Sequence, residues 1–241
     1  MRQLVLVDFD DTLVRTAPAF QQAREALFSL LEEHGFSREV SRRVHHDEVD
    51  PALLAEHGMG PFRMAPSFRE TYERLCRQEG MDPDPDLAER CASLGRDFLG
   101  RPQVMDGSLE SLRLLSEAVA TVVFSQSAQV EYQLGRIRDA GVMEILPVER
   151  IRITERKTTE TFREALSHFG IGDPARATMV GNSLRSDINP ALTVGAGAIL
   201  VEPYEMWEYD NVPPVSDAFL RFPTFREAAE FLLGRDKTSH P

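Results

Sequence analysis

One stretch near the N-terminus indicates the fold class: Leu4-Val5-Leu6-Val7-Asp8-Phe9-Asp10-Asp11-Thr12. Its first four residues are all apolar, which is typical of a strand buried on both faces of a parallel sheet. Acidic residues follow at once. Asp8 and Asp10 are two positions apart, so an extended backbone points both carboxylates in the same direction. The stretch therefore predicts a buried strand with paired carboxylates beyond its C-terminal end.

Four further apolar runs follow after residue 118 and alternate with helical patterns. The runs cover residues 119–124, 151–153, 178–180 and 198–201, and the one at 151–153 is weaker because Arg152 interrupts it. Between them, apolar residues recur every three or four positions, and the last helix opens with the capping-box pair Thr224 and Glu227. This alternation predicts an α/β protein with a Rossmann-like parallel sheet and crossover helices.

The segment 15–105 has a different character. It contains helical patterns and turn signals rich in glycine and proline, but no convincing strand. We therefore expect two domains: an α/β core formed by residues 1–14 and 106–241, and a helical domain inserted as residues 15–105.

Composition narrows the function classes. The 241 residues are 42% apolar, which is enough for a packed core, and the formal net charge is -12. Such an acidic chain is a poor match for a nucleic-acid partner, whose phosphates require basic surface. The N-terminal apolar run is too short for a signal sequence, and no run is long enough to span a membrane. The two cysteines form no disulfide framework, so the sequence predicts a cytoplasmic protein without a membrane partner.

Polar residues follow the later strands as well. In an open parallel sheet, ligands bind beyond the carboxyl ends of the strands. Ser125 and Gln126 follow the apolar run at 119–124, and a hydroxyl at this position can bind a phosphate oxygen. Both residues are therefore candidates for phosphate binding. Lys157 follows the third run at a helix N-terminus, the end at which the helix dipole disfavours a cation. Since Lys237 is the only other lysine, Lys157 is a candidate phosphate-binding ammonium.

The apolar run at 178–180 is followed by a loop with a second group of candidate ligands. Asn182 and Asp187 carry side-chain oxygens of the kind that bind hard cations. A cation would also relieve the repulsion between Asp8 and Asp10. Each of these patterns has a structural alternative, because Asp, Ser and Thr also form turns and helix caps.

Taken together, these motifs resemble those of the haloacid dehalogenase-like (HAD) superfamily. Asp8 to Leu13 resembles motif I, DxDx(T/V). Ser125 matches motif II by position, and Lys157 matches motif III. The loop from Gly181 to Asp187 resembles motif IV, usually GDxxxD or GDxxxxD, and the helical insertion resembles a C1-type cap.

The resemblance implies a role for each residue. Asp8 is the expected nucleophile, which carries the phosphoryl group as an aspartyl-phosphate. Asp10 is the expected general acid and then the general base. Lys157, together with Ser125 and Gln126, is expected to bind the transferred phosphate.

It also implies a magnesium site, and here the chain departs from the family pattern. Mg²⁺ would be held by Asp8, the Asp10 backbone carbonyl and the acids of motif IV. The first of those acids is replaced by Asn182, which brings an amide oxygen but no charge. We therefore expect Asp187 to be the principal motif IV ligand, directly or through water.

The expected function is a magnesium-dependent phosphohydrolase that acts on a small phosphorylated metabolite. Three alternatives stay open. Two are reactions of the same superfamily, a phosphomutase and a metal-independent haloacid dehalogenase. The third is a non-catalytic protein that binds a phosphorylated ligand, and Asn182 is its only support.

Overall fold

A computed structural model describes residues 3–202 and 212–234. The chain divides into two compact units. The first comprises Met1–Ala17 and Arg101–Pro241, and the second comprises Pro18–Gly100. The second unit lies a few residues inside the predicted bounds of 15 and 105.

The strands and helices are numbered along the chain. The strands are β1 Leu4–Val7, β2 Val14–Arg15, β3 Gln103–Val104, β4 Ala120–Gln126, β5 Ile151–Thr154, β6 Ala177–Gly181, β7 Gly197–Val201 and β8 Leu220–Phe222. The α-helices are α1 Ala17–Glu33, α2 Arg38–Arg43, α3 Asp50–His57, α4 Met64–Glu79, α5 Pro85–Leu94, α6 Ser108–Ala118, α7 Val130–Asp139, α8 Thr159–His168, α9 Asn189–Val194 and α10 Phe225–Leu232.

The first unit is built around a six-stranded parallel sheet in the order β5-β4-β1-β6-β7-β8. This confirms the predicted Rossmann-like α/β fold. The pairing of β1 with both β4 and β6 places the first strand inside the sheet, as its apolar run predicted. Strand β8 was not predicted, because it is short and largely exposed at the edge of the sheet.

Successive residues of β1 pack into different cores. Leu4 and Leu6 join one apolar cluster, whereas Val5 and Val7 join another. Because side chains alternate along a strand, the two clusters lie on opposite faces of the sheet. This two-sided burial explains the uninterrupted apolar run in the sequence.

A short antiparallel pair lies where the chain leaves and re-enters the first unit. Val14 of β2 pairs with Val104 of β3. Leu13 adds to this ladder, since its carbonyl accepts hydrogen bonds from Met105 N and Ser108 Oγ, both at 2.9 Å. These bonds tie the chain on both sides of the insertion to the end of the motif I loop.

The second unit is helical. The predicted helical segment 15–105 also contains the short strand β3, which belongs to the first unit. The described residues of the second unit contain α2 to α5 and most of α1, and they contain no strand. Phe28, Phe68 and Leu75 are completely or almost completely buried in its own apolar core. Among the described residues of the whole chain, no helix is long and apolar enough to cross a membrane.

Candidate active site

The site forms where β1 ends. Strands β4 and β6 flank β1 on opposite sides, and this reversal of strand order opens a crevice at the carboxyl ends of the strands. Asp8 continues the ladder by one bond, because its N–H donates to Val180 O at 2.9 Å. The chain then turns sharply at Asp11, which has a φ of 55°. Asp8 is thus held at the floor of the crevice and is buried.

Asp11 has a structural role. Its Oδ1 accepts hydrogen bonds from Thr16 N and Ala17 N, both at 2.9 Å, at the start of α1. Burial raises the pKa of Asp11 to about 6, while these two backbone donors oppose the rise. The capping alternative considered for the motif I loop is therefore correct for Asp11.

Lys157 joins two of the predicted carboxylates. Its Nζ donates to Asp187 Oδ1 at 2.6 Å and to Asp8 Oδ1. The other oxygen of Asp187 accepts from Ser183 N at 3.0 Å. Both oxygens of Asp187 are therefore bound by protein donors, and Asp187 anchors the ammonium group beside Asp8.

Gly181 makes room for this arrangement. A Cβ at this position would lie 2.9 Å from the Cβ of Asp187 and closer still to its carboxylate. Only a residue without a side chain fits there unless Asp187 moves. The motif IV glycine thus allows Asp187 to approach the strand end.

The electrostatics of this group are dominated by burial. Desolvation raises the pKa of Asp8 to about 8, an effect that Lys157 opposes and Asp187 reinforces. Desolvation alone would lower the pKa of Lys157, but the carboxylates of Asp187 and Asp8 outweigh it and raise that pKa. The two carboxylates therefore favour the charged form of Lys157 beside Asp8.

Asn182 faces the free side of the Asp8 carboxylate. One terminal atom of its amide lies 3.1 Å from Asp10 O and 3.2 Å from Asp8 Oδ2. With nitrogen in that position, the amide donates to both acceptors. With oxygen there, the amide oxygen lies beside Asp10 O and Asp8 Oδ2. The same side chain can thus either occupy the acceptors itself or join them in binding a cation.

The groups around Asn182 are of the chemical kinds that bind a magnesium ion. Octahedral Mg²⁺ holds its ligands at about 2.0–2.1 Å, so adjacent ligand oxygens lie about 2.9 Å apart. The Asn182 amide lies 3.1 and 3.2 Å from Asp10 O and Asp8 Oδ2, close to this value and equally within the range of hydrogen bonds from the amide nitrogen. The donors are a carboxylate, a backbone carbonyl and an amide. Among the described residues, no cluster of three or more His, Cys, Asp or Glu side chains could hold a metal ion by itself. A metal at this site would therefore need the backbone carbonyl and the amide as further ligands.

The carboxylate of Asp10 is held by three donors from the protein. Oδ1 accepts from Arg136 Nη1 and from Thr16 Oγ1, both at 2.6 Å. Oδ2 accepts from Gln133 Nε2 at 2.5 Å. Asp10 therefore presents its backbone carbonyl to Asn182 and its side chain to α7.

The two predicted phosphate-binding residues at the end of β4 have different surroundings. Ser125 is buried, and its Oγ accepts from Gln133 Nε2 at 2.9 Å. Gln126 Oε1 accepts from Lys157 N at 3.0 Å. The Gln126 side chain thus positions the backbone of Lys157, and a phosphate contact through that side chain stays a prediction.

No family model and no curated protein matches the sequence. A solved haloacid dehalogenase-like family hydrolase from Xanthomonas campestris, 23% identical, matches 98% of this chain and 92% of its own with a TM-score of 0.79. The chain has the HAD fold. The HAD-hydrolase YfnB from Bacillus subtilis, bound to magnesium, is 18% identical over 96% of this chain and 98% of that chain, with a TM-score of 0.64.

The HAD fold also occurs in an enzyme of different chemistry. A 2-haloacid dehalogenase from Pseudomonas syringae pv. Tomato is 22% identical over 97% of this chain and 99% of that chain, with a TM-score of 0.57. The fold therefore does not decide the activity, which depends on the side chains of the site.

Sequence reasoning did not identify Thr16, Gln133 and Arg136. The last two are i and i+3 on α7, so they lie on one face of the helix. That spacing was visible in the sequence, but a surface helix shows the same polar pattern. Only the packing of α7 reveals that these side chains point inward.

Proposed function

We propose that this chain is a magnesium-dependent phosphohydrolase that acts on a small phosphorylated metabolite through an aspartyl-phosphate on Asp8. One observation carries the proposal, the division of the Asp8 carboxylate between two partners. Oδ1 accepts a hydrogen bond from Lys157, and Oδ2 lies 3.2 Å from the Asn182 amide, which also reaches Asp10 O. The carboxylate thus has an ammonium group on one side and, on the other, an amide of the kind that can share a cation with Asp8 and the Asp10 carbonyl.

The reaction begins with attack of an Asp8 oxygen on phosphorus. The new bond joins Asp8 to phosphorus, and the bond from phosphorus to the leaving oxygen breaks. Asp10 gives the leaving oxygen a proton and then accepts one from the water that attacks the aspartyl-phosphate. That second step releases inorganic phosphate and restores Asp8.

Charge neutralisation is the main requirement of the first step, because a carboxylate must approach an anionic phosphate. Lys157 supplies one positive charge beside Asp8, and Ser125 supplies a hydroxyl donor. Mg²⁺ held by Asp8, the Asp10 carbonyl and Asn182 would neutralise further charge on the phosphoryl oxygens.

Asp187 receives a different role from the one expected from the sequence. Its two oxygens accept from Lys157 and Ser183. We assign it to the anchoring of Lys157, and we assign the motif IV contact with the metal to Asn182. Because this contact is uncharged, the magnesium affinity is expected to be modest.

A screen of phosphorylated metabolites tests the proposal, with p-nitrophenyl phosphate as a general probe. The wild type is expected to release phosphate with Mg²⁺ and to stop when EDTA is added. Asp8→Asn should lose turnover by several orders of magnitude, as the removal of a nucleophile usually does. Asp139→Asn, at an exposed position, is the matched control.

The alternatives give different results in the same experiment. A non-catalytic protein would release no phosphate from any ester although it is folded. A dehalogenase would release halide from a 2-haloacid without Mg²⁺. A phosphomutase would convert one sugar phosphate into its isomer with little release of phosphate. Unimpaired phosphate release by Asp8→Asn would exclude the proposed nucleophile.

A further inference from the structure

Helix α7 directs two polar side chains into the first unit. Gln133 and Arg136 are only 2% and 7% exposed. Polar and charged side chains are rarely this buried unless they have partners. Their partners here include Asp10 and Ser125, two residues to which the proposed function assigns catalytic and phosphate-binding roles.

Arg136 contacts the site through both terminal nitrogens. Nη1 donates to Asp10 Oδ1 at 2.6 Å, and Nη2 donates to Thr16 Oγ1 at 3.0 Å. Thr16 in turn donates to the same oxygen of Asp10. Arg136, Thr16 and Asp10 therefore form a closed ring of three hydrogen bonds, two of which end on Asp10 Oδ1.

Gln133 holds the other side of the carboxylate. Its Oε1 accepts from Arg136 Nη1 at 3.1 Å, which directs Nε2 towards the site. That nitrogen donates to Asp10 Oδ2 at 2.5 Å and to Ser125 Oγ at 2.9 Å. One amide thus sets the separation between Asp10 and Ser125.

We propose that Gln133 and Arg136 are positioning residues that orient Asp10 for proton transfer to the leaving oxygen. This inference rests on the proposed function, because it assumes that Asp10 acts on a phosphate ester. Misplacement of a general acid slows the reaction of esters whose leaving group needs a proton, and hardly affects esters whose leaving group is already stable as an anion. If Gln133 and Arg136 served only to stabilise the fold, their substitution would lower the rates with both kinds of ester equally.

Two aryl phosphates of similar size provide the test. p-Nitrophenolate leaves readily without a proton, whereas p-methoxyphenolate is a much poorer leaving group. For Arg136→Met and Gln133→Met, we expect kcat/KM to fall by about 10- to 100-fold with p-methoxyphenyl phosphate and by less than about threefold with p-nitrophenyl phosphate. Arg136→Lys should recover part of the loss, because it keeps the positive charge.

Two controls separate positioning from general damage. Arg138→Met alters an exposed arginine of the same helix and should leave both rates unchanged. In an Asp10→Asn background, Arg136→Met should cause no further loss, because residues that act through one group are not additive. Thermal unfolding of each variant identifies any that fail to fold. If Arg136→Met does not fold, the test is made with Gln133→Met, which removes no charge.

The outcomes for this inference and for the proposed function differ. If the wild type hydrolyses neither ester, the proposed function fails and this inference fails with it. If the wild type hydrolyses both, but folded variants lose both rates equally or lose neither, only the inference is overturned. Additive losses in the Asp10→Asn background would also overturn it.

Discussion

Lys157 Nζ lies 2.6 Å from Asp187 Oδ1, and the two side chains are only 2% and 1% exposed. The same ammonium group also binds Asp8. A charge buried this deeply is costly unless it is paired and hydrogen-bonded. Asp187 therefore stabilises Lys157 in the position in which it can act on Asp8.

Removal of the Asp187 charge should affect stability more than metal affinity. Asp187→Asn leaves the ammonium with one carboxylate instead of two, and we expect it to lower the free energy of unfolding by about 3 kcal/mol. Urea denaturation measures this change. Isothermal titration should show a smaller loss of Mg²⁺ affinity in Asp187→Asn than in Asn182→Ala. The reverse order would restore Asp187 as the principal metal ligand.

Asn182→Asp should strengthen magnesium binding. A carboxylate in place of the amide adds a negative charge to the group of oxygens, and we expect the affinity for Mg²⁺ to rise by about tenfold or more. Without Mg²⁺ the same charge repels Asp8, so the melting temperature should fall. With saturating Mg²⁺ it should rise above that of the wild type.

Gln78→Glu is the control for Asn182→Asp, since it adds one negative charge at an exposed position of α4. It should change neither the metal affinity nor the response of the melting temperature to Mg²⁺. If Asn182→Asp behaves like this control, the amide does not face the cation site.

Gly181→Ala should displace the Asp187 side chain and so weaken its hydrogen bond with Lys157. The new methyl group would overlap with the Asp187 side chain. We expect a loss of about 3 kcal/mol in unfolding free energy, at the upper end of the cost of overpacking, together with a loss of turnover. Gly172→Ala is the matched control, because nothing lies within 4 Å of a Cβ at that position. Equal stability of the two variants would show that Asp187 has room to move.

A buried histidine in the second unit makes its stability sensitive to acid. Thr71 Oγ1 donates to Ser67 O at 2.8 Å, so it accepts from His45 Nδ1 at 3.0 Å. This assigns the proton of the neutral ring to Nδ1. Nε2 is buried and has no hydrogen-bond partner among the described residues.

Burial lowers the pKa of His45 well below 6.5, and the nearby His46, Arg24 and Arg63 lower it further. The unfolded chain therefore binds a proton near pH 6.5, whereas the folded chain does not. Stability should be unaffected by His45 above that pH and fall by up to about 1.4 kcal/mol per pH unit below it. His45→Asn, which keeps a donor near Thr71, should show a shallower decline in denaturation between pH 6.5 and 5. His57→Asn, at an exposed position, should decline like the wild type.

Much of the fold followed from the sequence because burial on both faces leaves a direct mark on a strand. Leu4 to Val7 form an uninterrupted apolar run, and the first unit places them inside the sheet. Strand β8 has no such run, because Leu220 and Arg221 are exposed at the edge. The sequence therefore predicted five strands of the six-stranded parallel sheet and missed the last.

The edge of the sheet at which Asp8, Lys157 and Asp187 lie could also be predicted from the sequence. Each residue lies in the connection that follows one of the strands β1, β5 and β6, and parallel strands bring their carboxyl ends to one edge of the sheet. The partners of each side chain depended instead on the tertiary structure. The inward direction of Gln133 and Arg136, the pairing of Asp187 with Lys157 and the facing of Asn182 towards Asp10 O result from packing between elements distant in sequence. Periodicity places a residue on a face of its own helix or strand, but only the packed neighbours decide which group it meets.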